Sequence, residues 1–144
     1  MKRYLSLVSL LVLVAIVAAG CNFSVSTANI TQATLAKDVQ GSNFDPVDPT
    51  TTFQVDQPLI HLVVSVANAP EGTKVKSVWT AVDVGDAAPA NTKIDEAEVS
   101  MTTDGNAHFT LSLPTSGAWP VGKYKVDVYL NDKLDRTLDY TIAQ

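Results

Sequence analysis

From Ile30 to Gln144, apolar side chains recur at every second position in short runs, and turn residues cut the runs about every 8 to 12 positions. A two-residue period marks a strand with one buried face, because successive Cβ atoms point to opposite sides of a sheet. No stretch in this region sustains the period of about 3.6 residues that a helix requires. There is no internal repeat and no low-complexity block.

Seven strands are expected. The first runs from Ile30 to Asp38, and a Pro- and Asp-rich stretch from Asn43 to Thr50 then reads as a loop, since prolines deny ladder donors. Pro58 to Ala67 sets Ile60, Leu62, Val64 and Val66 on one face and His61 and Ser65 on the other. Thr73 to Val84 carries Trp79, and a weaker strand spans Lys93 to Thr102. Asp104-Gly105 is a hairpin turn into a strand where Phe109, Leu111 and Leu113 alternate with His108, Thr110 and Ser112. Lys123 to Leu130 places Tyr124, Val126, Val128 and Leu130 together. The last strand is expected to turn Leu134, Leu138, Tyr140 and Ile142 inward, and its charges (Asp135, Arg136, Asp139) suit a sheet edge. One conflict stands in the third strand. Val75, Trp79 and Ala81 share one face and Val78, Val82 and Val84 the other, so the strand needs either a bulge or an exposed apolar face.

The start of the chain is of another kind. Met1-Lys2-Arg3 precedes an uncharged apolar stretch from Leu5 to Ala19, about 15 residues and too short for a membrane span of roughly 20. It ends in Val17-Ala18-Ala19-Gly20-Cys21, with the only cysteine of the chain at its close. A basic start, an apolar core and small residues before a cut site make a secretory signal. With the cysteine after the cut site, the segment resembles the lipobox of bacterial lipoproteins, although position 18 is Ala where Leu is commonest. The resemblance implies cleavage between Gly20 and Cys21, a diacylglycerol on Cys21 and an extracytoplasmic, lipid-anchored protein. Asn22 in place of Asp implies outer-membrane sorting if the host has two membranes. The expected organisation is thus a signal peptide over 1–20, the lipidated cysteine and tether over 21–29, and one domain over 30–144.

Loss of Lys2 and Arg3 with the signal leaves 8 basic residues against 15 acidic ones, a net charge of −7. That balance argues against nucleic acid as a partner. With Cys21 used for lipid, no cysteine remains for a disulfide or a thiolate site, so the core alone must hold the domain.

Seven short strands, Trp79 in the third and Tyr124 at the start of the sixth together resemble a cysteine-free immunoglobulin-like or fibronectin type III-like antiparallel β-sandwich. The resemblance implies a core tryptophan at 79 and a tyrosine corner at 124. Val126 stands where disulfide-bonded members carry a cysteine. Function does not follow from such a fold.

His61 and His108 are the only histidines, and they could bind copper or zinc if their strands were neighbours, although a third ligand is not evident. Asp45, Asp48 and Asp56 lie in the proline-rich stretch between the first two strands, and Asp83, Asp86, Asp95 and Glu96 flank the loop after the third; neither set has EF-hand spacing. No G-x-S-x-G and no phosphate-cradling glycine loop is present. Trp119, Phe44 and Phe53 are aromatics in loops, of which Trp119 and Phe44 are the candidates for partner binding; Trp119 could equally close the core beside Tyr124. The expectation is a membrane-anchored, non-catalytic protein-interaction module with no cofactor beyond its lipid. The alternative is a small-ligand module for calcium, copper or a glycan.

Overall fold

The computed structural model describes residues 26–144, so the signal segment, Gly20 and Cys21 lie outside the described residues. Within these residues nine strands form two sheets: β1 (Asn29–Gln40), β2 (Asp45–Pro49), β3 (Thr52–Gln54), β4 (Leu59–Ala67), β5 (Thr73–Asp83), β6 (Thr92–Met101), β7 (Gly105–Ser112), β8 (Gly122–Leu130) and β9 (Lys133–Ala143). One sheet has the order β2-β1-β4-β7 and the other β3-β9-β8-β5-β6. Among the described residues the one helical element is a 3-10 turn, Gly85–Ala87, between β5 and β6.

The seven expected strands are present, and two more arise from the stretch read as a loop. β2 forms despite Pro46 and Pro49 because it is the outermost strand of its sheet, where a missing N–H on the free side costs no ladder bond. β3 is three residues long, too short for a period to show. It runs parallel to β9, Thr52 to Gln54 against Thr141 to Ala143, so the sandwich is not purely antiparallel. It buries Phe53 edge-on to Tyr140, with ring centres 5.8 Å apart. β9 is therefore not the outermost strand of its sheet, although β3 covers only its last three residues. Leu134 also departs from expectation. The register of β8 against β9 shifts between Val128 and Tyr129, and Leu134 is left 49% exposed.

The conflict in the third strand resolves into irregular register. Thr73, Val75, Ser77 and Trp79 alternate inward, and shifts then fall between Trp79 and Thr80 against β6 and between Ala81 and Asp83 against β8. Thr80 and Ala81 are consecutively buried, while Val78 and Val82 remain half-buried. Trp79 is wholly enclosed, and its indole N–H donates to the Ser77 hydroxyl at 3.2 Å.

Leu62, Val64, Val75, Val126 and Ile142 fill the space between the sheets around Trp79. Full burial of one such side chain contributes about 1.5–3 kcal/mol, which is how a domain without a disulfide is held. Tyr124 forms the expected corner, its hydroxyl donating to the Pro120 carbonyl at 2.6 Å.

The sandwich has two distinct poles. At the first, Thr27 reaches the Asn68 carbonyl, Asn131 reaches Ser26, and Asp104 accepts from the Ala69 amide, so the N-terminal side of the domain meets the β4–β5, β8–β9 and β6–β7 turns. At the second lie the β5–β6 and β7–β8 connections. β8, nine residues long, separates the poles by about 30 Å at ~3.3 Å per residue.

Candidate functional site

Two constellations stand out. The first is a pocket at the second pole, opposite the N-terminal side. Ala81 and Tyr124 are register partners on β5 and β8, and Thr92 pairs with Ala81 from β6, so the three meet on the inner face where the five-stranded sheet ends. Val84 and Ala88 of the β5–β6 connection close one side, and Pro114, Trp119 and Pro120 of the β7–β8 connection close the other. The pocket measures about 220 Å³, and its walls are almost wholly apolar.

Hydrogen bonds tie Trp119 and Tyr124, two of these wall residues, to the surrounding backbone. The Trp119 indole N–H donates to the Gln57 carbonyl at 2.8 Å, and its amide donates to the Val55 carbonyl at 2.8 Å. Trp119 is 3% exposed, so it closes the end of the core while also lining the pocket. Burial raises the Tyr124 phenol above its ordinary pKa, and its proton is held by Pro120. Ile94, which lines the pocket, and Val121, which follows Pro120, are among the few large apolar side chains of the described residues left exposed, at 39% and 51%. Leu59 opens β4 at this same pole and is also exposed. Two larger grooves, about 510 Å³ beside Ser26 and Leu134 and about 500 Å³ beside Thr52 and Lys123, mix polar with apolar walls.

The second constellation lies on the outer face of the four-stranded sheet. β4 and β7 are neighbours, and the diagonal pair His61 and His108 meets with Nδ1 and Nε2 2.9 Å apart. The ring centres are 5.2 Å apart and the planes differ by 5°. That separation equals the hydrogen bond plus the two centre-to-nitrogen distances, so the rings lie edge to edge with their nitrogen lone-pair directions opposed. A metal held by both nitrogens would need them ~4 Å apart along this line, given bonds of about 2.0–2.1 Å. The arrangement is thus a hydrogen bond, one imidazole donating and the other accepting, and not a chelate. Among the described residues no group of three His, Cys, Asp or Glu side chains is placed to hold a metal ion. Burial, and secondarily the neighbouring His61, lower the pKa of His108.

Phe44 covers this pair. It sits in the β1–β2 turn at a φ of +56°, stacks on His108 with ring centres 4.5 Å apart, and is 38% exposed. The two partner-binding candidates are therefore far apart in role. Trp119 is an interior wall at one pole, and Phe44 is a cover on a sheet face. The contribution of Ala81, Ala88 and Thr92 to the pocket escaped the sequence reading, since they converge only after three strands pair.

No family model matches the chain, and no curated protein matches it in sequence. Among solved structures, an immunoglobulin-like protein of Pseudomonas aeruginosa (PA1606) is similar over 81% of this chain and 96% of its own, with 12% identity and a TM-score of 0.53. An alkylpurine DNA glycosylase, AlkC, of Pseudomonas fluorescens gives 13% identity and a TM-score of 0.49 over 81% of this chain. A β-D-glucoside glucohydrolase of Trichoderma reesei gives 14% and 0.45 over 82%. The chain spans 30% of the glycosylase and 19% of the glucohydrolase, and those two likenesses carry no weight for function. The likeness to PA1606 concerns the fold alone: the described chain is a two-sheet, immunoglobulin-like β-sandwich.

Proposed function

We propose that this chain is a non-catalytic protein-interaction module, anchored through lipid on Cys21 to the extracytoplasmic side of a bacterial membrane. In this reading it grips an apolar side chain of its partner in the pocket at the second pole. The observation that carries the reading is the pocket itself. At about 220 Å³ it falls below the roughly 300–1,000 Å³ of small-molecule sites and suits one anchoring side chain. Its only titratable wall group, Tyr124, has its hydroxyl occupied by Pro120, so the walls offer packing and no acid–base chemistry. Ile94, Val121 and Leu59 extend apolar surface around that pole. The pole also points away from the N-terminal side, which would carry the tether, and so would face a partner and not the lipid.

The test is site-specific photo-crosslinking in the native envelope. Probes at Ile94 and Val121 are expected to capture one and the same protein, and a probe at Lys133, at the tether pole, is not. Ala88→Trp, which fills the pocket, is expected to abolish the capture. Equal capture from Lys133, or capture undiminished by Ala88→Trp, would refute the reading.

A further inference from the structure

The outer face of the four-stranded sheet holds a device that the pocket does not require. Leu35 and Leu62 are register partners facing the core, so Ala36 and Val63, one residue on, face outward. Both are nevertheless buried, at 0% and 2% exposure. The segment that reaches across this face is the β1–β2 hairpin. Beyond Ala36, β1 leaves β4, and its hairpin crosses the outer face to reach β7. There Asn106 donates to the Asn43 carbonyl at 2.8 Å and is itself braced by the Ser65 hydroxyl at 2.7 Å. Phe44 stacks on His108, and His108 is bonded edge-on to His61. His61 is 6% exposed on a central strand and cannot yield, whereas the hairpin lies at the sheet's edge.

We infer that His61, His108 and Phe44 form an acid-sensitive latch, which holds the β1–β2 hairpin closed over Ala36 and Val63 and releases it when both imidazoles carry a proton. The chemistry follows from the bond. A neutral imidazole has one donor and one acceptor nitrogen, so the pair is satisfied. One added proton leaves it satisfied, because an imidazolium donates to an imidazole. A second proton makes both facing nitrogens donors and both rings cationic, at a separation of 2.9 Å. The bond is then lost and the rings repel. Neighbouring charges do not compensate. β4 and β7 carry no charged residue besides these two imidazoles. β1 brings Lys37 and Asp38, whose carboxylate lies 4.0 Å from the far nitrogen of His61, and β2 brings Asp45 and Asp48. Asp38 lies on the far side of the His61 ring and does not reach the contact with His108. The pair behaves as a coupled unit, and the ring with the movable neighbour is the one that leaves.

Two-dimensional spectra of the imidazoles and the Phe44 ring, in the full chain from about pH 8 to about pH 4, test the latch. The expected result is loss of the Phe44 ring-current shift on His108 in step with protonation of the second ring. Amide exchange at Val63 should rise at the same pH, while Trp79 signals stay unchanged. His108→Phe keeps an aromatic surface for Phe44 and removes the proton site, so its hairpin should stay closed throughout. Retention of the Phe44 contact after both rings have titrated, or the same opening in His108→Phe, would overturn the latch. If His108→Phe does not fold, His61→Gln decides: a lost or displaced opening supports the latch and an unchanged one refutes it.

Discussion

Tyr124 and Tyr140 stack across β8 and β9, with ring centres 5.3 Å apart and planes 19° from parallel, yet only one of the two hydroxyls has a partner. Tyr124 donates to the Pro120 carbonyl, whereas the Tyr140 hydroxyl is buried with no hydrogen bond. Burial, and secondarily Tyr124, push the Tyr140 phenol far above its ordinary pKa, so it stays neutral. Phe53 and Trp79 both approach Tyr140 edge-on, which accounts for the ring's place in the core but not for its oxygen.

Phenylalanine at the two positions should therefore act in opposite directions. Tyr124→Phe is expected to cost about 0.5–1.5 kcal/mol by removing a net hydrogen bond and leaving the Pro120 carbonyl without it. Tyr140→Phe should be neutral or gain up to about 1 kcal/mol, since it removes a desolvated group that bonds to nothing. Urea midpoints of the two variants measure this. Equal losses at both positions would show that Tyr140 has a partner after all.

Stability should also fall in mild acid, with a sign set by His108. Its pKa in the folded state lies below the ordinary 6.5, for which burial is the main cause. The unfolded chain therefore takes up the proton first as pH falls. The stability that His108 contributes is complete above pH 6.5 and is lost between that value and its lower folded pKa. Thermal melts at a series of pH values should show this acid limb, and His108→Phe should flatten it.

Among the described glycines, Gly122 is the least tolerant of a side chain. A Cβ there would run into the Asp83 carbonyl oxygen and lie 2.9 Å from the Val84 Cα, where β5 leaves β8. Both obstacles are backbone and cannot swing aside. Gly122→Ala should cost at least the ~1–3 kcal/mol of an overpacked site. Gly117, on the β7–β8 connection, has open space at its Cβ and serves as the comparison. Its φ of +80° makes Gly117→Asn the milder change there.

At the other end of the chain, Cys21→Ala should leave the protein without lipid and with its signal uncut by the lipoprotein peptidase. Intact-mass measurement of protein extracted from the envelope decides it. A lipid-modified mass that persists in the variant would remove the anchor from the proposed function.

How far each part was legible depended on the range of the interactions that define it. β4, β7 and β8 could be read from period two, since a single buried face imposes alternation whatever the partner strand is. The tyrosine corner was expected from the resemblance to immunoglobulin-like sandwiches, which sets a tyrosine at the entry to this strand, and its bond to Pro120 is local, closing over four residues. β3 was not readable, because its three residues become a strand only when β9 offers a ladder, 89 positions along the chain from Thr52 to Thr141. The proline-rich β2 was misread for a related reason, since whether a proline harms a strand depends on which side of it is free.

The same division separates the sites. The period of the chain by itself determined a stack of short strands, the placing of Trp79 and Tyr124 within it, and the polar-face position of both histidines. Only the tertiary structure decided that those histidines bond to each other, that Phe44 covers them, and that Ala81, Thr92, Trp119 and Tyr124 enclose a pocket. The physical reason is register. Local alternation assigns a side chain to a face, but which side chains on that face become neighbours is set by how distant strands align, and a shift of one residue would exchange every one of them.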